Sequence, residues 1–280
     1  MPYRPIKVAI LSMYLDAPNQ GMKNIKDILD IQVLPFEWKV FDVRGKNEVP
    51  GLEYDIYIST GGPGSPLDVD GIWDKKYFNL IDKLREFNKV SKGEKKFAFF
   101  ICHSFQMICH YYNLGQLTKR NSTSFGIFPL HKTEAGMQDA VLAKLPDPFY
   151  GADTRDWQII QPNLCVFESF GAKILCMEKI RDHVDYERAI MAVRLSDEFF
   201  CTQFHPEADA IGMSEHFKDP DTRKKIIETY GLEKLEQTAE QLNDPSKISL
   251  TNRVILPTFL KMAVNSILQN SNKTNCDSIC

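Results

Sequence analysis

Short apolar runs alternate along this chain with stretches of helical periodicity. Residues 7–12, 38–43, 55–59 and 97–101 read as strands, and the last is continuously apolar, the pattern of a strand buried on both faces. Between them, 22–29 and 75–87 carry helical spacing, and 97–101 passes straight into a helical pattern through Phe105, Met107, Ile108 and Tyr111. Strand and helix in alternation predict an α/β doubly wound sheet. Residues 124–133, 172–177, 189–194 and 198–204 supply later strands, expected to be partly antiparallel.

Beyond Met213 the pattern turns charged and helical over 215–231, 232–242 and 253–268, with breaks expected at Asn243-Asp244-Pro245 and at Leu256-Pro257. This divides the chain into a domain over 1–212, a helical C-terminal extension over 213–269 packed on it, and a polar tail over 270–280 expected to be disordered. Three roles are open to the extension: capping a site, forming a homodimer face, or completing the packing of the sheet.

Composition narrows the class. The 280 residues are 43% hydrophobic and 25% charged with a formal net charge of −3, enough to bury an ordinary core. Lys and Arg are dispersed, which gives no electrostatic case for nucleic acid. No apolar run approaches the ~20 residues a bilayer demands, and Met1-Pro-Tyr-Arg-Pro5 leads into no signal-peptide core, so a cytoplasmic enzyme without a membrane partner is expected. Seven cysteines, an odd number, are scattered through predicted strands (Cys165, Cys176, Cys201), a helix (Cys109) and the tail, where Cys276 and Cys280 are near enough to pair. Dispersal suggests reduced thiols, and no spacing suits zinc. His103 and His110 flank Cys109 too far apart on a helix to share one ion, so no metal and no cofactor is expected.

Three segments carry the chemistry. Cys102 follows the apolar strand at its turn into a helix, where backbone N–H groups and the helix dipole favour a thiolate. About a hundred residues later, Thr202-Gln-Phe-His205-Pro-Glu207 ends another strand, and extended backbone would put His205 and Glu207 on one side, the carboxylate holding the imidazole toward sulfur. The third segment, Gly61-Gly62-Pro63-Gly64, also follows a strand, and its glycines let backbone N–H groups approach a ligand. Taken singly, such a cysteine is more often an inert small hydrophobe and such a histidine a loop residue.

In this order and at these intervals the segments resemble the class I glutamine amidotransferase domain, including the amidotransferase part of GMP synthases, over residues 5–212. The resemblance implies a flavodoxin-like three-layer sandwich with a mixed central sheet. It implies Cys102 as nucleophile, His205 as general base and acid, Glu207 as its orienter, and the N–H groups of Gly62 and His103 as the oxyanion hole. Gly64, Gln106, Arg155, Asp156 and Trp157 fall beside the substrate, a small amide with glutamine foremost. Ammonia would pass to a separate synthetase, since no phosphate-binding G-x-x-x-x-G-K-S/T loop occurs in the chain. Two departures stand out. The family's G-x-C-x-G-x-Q has Phe100 and Ser104 in place of its glycines, where Ser104 could cap backbone N–H groups. The Asp153–Trp157 loop retains only Asp156 of a Ser-His-Gly-Asp-like pattern, so Arg155 and Trp157 there suit either another acyl group or a surface salt bridge and packing anchor. A stand-alone hydrolase or acyltransferase on another acyl compound, and a catalytically silent binding subunit, are the alternatives.

Overall fold

Alternation within the early strands sets the layers. In β1 (Ile6–Ser12), Val8 and Ile10 face one side and Ala9 and Leu11 the other; β3 (Ile56–Ser59) and β4 (Phe97–Ile101) repeat the division, with Phe97, Phe99 and Ile101 opposite Ala98 and Phe100. Both faces are therefore apolar, and each needs a cover of helices. The computed structural model describes residues 4–16, 19–32, 36–180 and 187–277, with side chains through 269. On one face lie α1 (Gln20–Asp30) and the terminal α10 (Ile248–Asp277), and on the other α3 (Trp73–Val90) and α4 (His103–Tyr111).

The remaining strands are β2 (Phe36–Asp42), β5 (Gln116–Lys132), β6 (Phe149–Ile160), β7 (Lys173–Glu178), β8 (Ile190–Arg194) and β9 (Phe199–Thr202). Together they form one nine-stranded sheet in the order β2-β1-β3-β4-β9-β8-β7-β5-β6. Pairing is parallel from β2 to β9 and antiparallel from β9 to β6, the mixed three-layer sandwich that the resemblance implied. Short helices α2 (Val43–Lys46), α5 (Glu134–Gln138) and α6 (Leu164–Phe170) fill connections. Among the described residues no helix is long and apolar enough to cross a membrane.

Several expectations are corrected. Residues 153–157 are not a loop but the middle of β6, whose buried Asp153 and Arg155 alternate with exposed Thr154 and Asp156. Charges on the inward face concealed the strand. β5 likewise begins earlier than expected, at Gln116, because a polar stretch with a register shift between Lys119 and Ser124 lacks the strand signal. Cys165 lies in α6 and is exposed, not in a strand.

In the C-terminal region, 215–231 is two helices, α7 (Ala210–Lys218) and α8 (Pro220–Tyr230). Asp219 ends the first and caps the second through Thr222 N–H (2.8 Å), with Pro220 opening the new helix. α9 (Leu232–Leu242) follows. Pro257, expected to mark a joint, is inside α10, which spans the expected break. Helical backbone continues through the expected tail as far as Asp277, whereas the side chain of Cys276 and all of Cys280 lie outside the described residues.

The extension divides its labour. α10 is the sheet's own cover: Ile255, Leu256, Phe259, Leu260, Ala263, Val264 and Ile267 are buried in one cluster with β1, β3 and β4, and Phe259 meets Phe99 edge-on at 5.1 Å. Helices α7–α9 build a separate small cluster around Phe217, Ile226, Leu235 and Leu242 against Ile127 and Ala152 of β5 and β6.

Candidate active site

The parallel strands deliver their carboxyl ends to one edge of the sheet, and the chemistry collects there. Cys102 makes the turn from β4 into α4 with φ 48° and ψ −99°, a conformation that costs a non-glycine residue on the order of 1–3 kcal/mol. Neighbours hold it: Cys102 N–H donates to Thr202 O of β9 (2.7 Å), and its carbonyl accepts from Gln106 N–H (3.0 Å). Phe100 is accommodated in the core beside Phe199, with ring centroids 5.8 Å apart. Ser104 does not cap backbone N–H groups. Its hydroxyl donates to Thr60 O (2.6 Å), which leaves it to accept from Ser59 (2.7 Å), itself an acceptor from Tyr77 (2.9 Å), since each hydroxyl has one proton. Where the amidotransferase pattern has a glycine, this chain thus has a clamp between α4 and the loop after β3.

His205 follows β9, and its N–H donates to Ala152 O (2.9 Å) in an isolated bridge that ties it to β6. Its Nδ1 meets Glu207 Oε1 at 2.8 Å, as the two-residue spacing predicts, while 21% of its side chain is open toward the cavity. Glu207 is buried, and Asn252 of α10 donates to its carbonyl at 3.0 Å. Burial pulls the His205 pKa down, but the charge of Glu207 and the nearby sulfur of Cys102, with the hydrogen bond to Glu207, raise it well above its ordinary value. The buried Glu207 carboxylate therefore favours the charged form of the ring.

The glycine loop packs without room for side chains. A Cβ on Gly62 would stand 2.7 Å from Met13 O, and Gly64 has φ +84°, in the left-handed region glycine tolerates. Among the described residues, neither Gly62 N–H nor His103 N–H has a hydrogen-bond partner, as a pair of oxyanion donors requires. The His103 ring is buried, and burial together with Arg44 lowers its pKa to about 3, so it stays neutral.

A cavity of about 450 Å³ opens on these groups, bordered by Tyr14, Gly62, Gly64, Cys102, His103, Gln106, Thr123, Trp157, His205 and Tyr230 among others. Asp156 is on its rim, accepting from the Thr123 hydroxyl. Gln106 is buried with its amide on Trp157 O (3.1 Å). Arg155 also lines the cavity, and its guanidinium is not a surface ion pair. It is buried and engaged by Asp153 (2.9 Å), Glu178 (3.4 Å) and Trp157 O (3.3 Å). Inward-facing acids claimed it.

Sequence reasoning missed Tyr14, Gln203 and Tyr230. Tyr14 follows β1 as the glycine loop follows β3, so its position was a signal; Gln203 lay inside the quoted His205 segment; Tyr230, from α8, had none. Among the described residues no group of three or more His, Cys, Asp or Glu is placed to hold a metal ion.

Neither a family model nor a curated protein matches the chain. Solved structures do. A glutamine amidotransferase from Thermotoga maritima superposes with a TM-score of 0.69 at 15% identity, covering 94% of this chain and 99% of its own. A glutamine amidotransferase from Methylobacillus flagellatus gives 0.60 at 15% identity, covering 96% of each chain. The glutaminase domain of Trypanosoma brucei CTPS, with bound acivicin, gives 0.50 at 14% over 72% of this chain and 86% of its own. At these identities the likeness is one of fold.

Proposed function

We propose that this protein is a cysteine-dependent amidase of the glutamine amidotransferase kind, releasing ammonia from a side-chain amide. The observation that carries the reading is the arrangement at one sheet edge: Cys102 on a left-handed turn at a helix N-terminus, His205 against it and bonded to Glu207, and two unpartnered N–H groups at Gly62 and His103. That set supplies nucleophile, acid–base and anion stabiliser.

The Cys102 thiolate attacks the amide carbon, and the carbonyl oxygen takes negative charge toward the N–H groups of Gly62 and His103. As the tetrahedral intermediate collapses, the C–N bond breaks and His205 gives its proton to the departing ammonia, leaving a thioester. Water then attacks the thioester, giving a proton to His205, and the carboxylic acid leaves as the sulfur is restored. General acid–base action is worth roughly 100- to 10,000-fold and one oxyanion donor about 2.7–4 kcal/mol. Ammonia goes to a separate synthetase chain or to solvent, and the site resides in a cytoplasmic enzyme.

Arg155 favours a second reading of the substrate. It is the cavity's one lysine or arginine among the described lining residues, and its ion pairs leave no free cation for a substrate carboxylate. An acyl amide other than free glutamine fits that lining. Labelling with an electrophilic glutamine analogue tests both: stoichiometric modification of Cys102 supports the amidase and glutamine recognition. Turnover of larger γ-glutamyl amides without such labelling favours the second reading, and neither result leaves the silent-subunit alternative.

A further inference from the structure

The orientation of two buried side-chain amides beside the nucleophile is fixed by chemistry. Trp157 O is a backbone carbonyl and can only accept, so the group of Gln106 that faces it at 3.1 Å must be its NH₂. That same nitrogen lies 3.0 Å from the side chain of Gln203, which must answer with its oxygen. The Gln203 NH₂ is then left to face Cys102 Sγ, at 3.6 Å. Both glutamines are buried, and sequence and main chain allow no other order of donors. The relay runs from β6 through α4 to the residue after β9 and ends on sulfur.

We propose that Gln203 is a positioning residue for the nucleophile: its amide N–H donates to the sulfur, favouring thiolate over thiol and fixing its direction, with Gln106 and Trp157 O locking the polarity. Sulfur as an anion accepts this hydrogen bond, whereas a protonated thiol gains little from it. A hydrogen bond to a charged group of this kind corresponds to on the order of 10- to 100-fold in reactivity. The inference rests on the amidase reading for its role in turnover, but not for its effect on the thiol.

The experiment therefore reads the sulfur directly. Second-order alkylation of Cys102 by iodoacetamide is measured at one fixed neutral pH by peptide mass spectrometry, with the exposed Cys165 as internal standard. Gln203→Leu removes the donor, and Gln203→Glu offers an oxygen in its place. Both are expected to slow Cys102 at least tenfold relative to Cys165, while Gln106→Glu, which reverses the polarity of the relay, slows it less than either but measurably. Melting temperature is followed in parallel, because a merely structural role would lower stability without slowing alkylation of the fraction that remains folded. Alkylation of Cys102 unchanged in folded Gln203→Leu and Gln203→Glu overturns the proposal. Slowed alkylation in a protein that hydrolyses no amide would keep it and remove the amidase reading instead.

Discussion

A methyl group on Gly61 would come within 2.8 Å of His205 Cε1 and 3.1 Å of the Tyr14 hydroxyl, so the glycine exists to let the loop pass against the imidazole. Gly61→Ala is expected to move the ring by a few tenths of an ångström and lower kcat by less than the ~100-fold that a 1 Å misplacement costs, with little change in melting temperature, as assay and calorimetry on one preparation would show. Cys102→Ala and His205→Ala should each abolish turnover, with Glu207→Gln milder; substantial activity in Cys102→Ala removes the nucleophile from the scheme. The His205 pKa is raised in the fold, so the stability its proton contributes is fully present below about pH 6.5, its unfolded value, and is lost as pH rises through the folded pKa. The melting-temperature gap between wild type and His205→Gln should accordingly be widest near pH 6 and shrink in the alkaline range. At this scale the sequence was readable where candidate residues stand at the ends of apolar strands, as with Cys102, His205 and Glu207, which the fold brings to one sheet edge. Gln203 escaped because a neutral amide acquires a role only through what faces it, here Gln106 and a sulfur a hundred residues away.

Elements were readable where their burial is simple. β4 was placed to the residue because both its faces are apolar, and the β1 and β3 strands nearly so. β6 was read as a loop because it carries ionised groups inward, a pattern affordable only when Asp153, Arg155, Glu178 and Ser124 satisfy one another. The part that Arg155 plays in that network has a measurable signature. Arg155→Ala would strand Asp153 without its cation, a loss of about 3–5 kcal/mol, or a melting temperature lower by roughly 10 °C. KM should change equally little for glutamine and for larger γ-glutamyl amides. A selective rise in KM for one substrate at unchanged stability would instead put the guanidinium in contact with substrate. Pro257 misled for a related reason: proline removes one donor from a helix, yet burial of Leu256, Phe259 and Leu260 against the sheet outweighs that cost.

At the scale of the molecule, the expected division at residue 213 cuts across a shared hydrophobic core. One face of the parallel sheet, lined by Val8, Ile10, Ile56, Ile58, Phe97 and Phe99, is covered jointly by α1 and α10, and α10 alone contributes seven of the buried apolar residues between Ile255 and Ile267. Such side chains are each worth roughly 1.5–3 kcal/mol when fully buried, so their sum rivals the 5–15 kcal/mol by which a typical domain is stable. Asn252 also reaches from α10 to the Glu207 carbonyl, and Thr251 to Tyr150 O, so the same helix braces the edge that carries Cys102 and His205. A fragment ending at Met213 is therefore expected to retain secondary structure by far-ultraviolet circular dichroism but to lose its near-ultraviolet signal, bind a hydrophobic dye and melt without cooperativity. Adding back a peptide spanning 248–269 in excess should restore part of the near-ultraviolet signal, because the apolar face it covers is otherwise left open to water. Cooperative melting of the fragment with a native near-ultraviolet spectrum would show instead that α1 and the sheet suffice, and that α10 is an ornament on a complete fold.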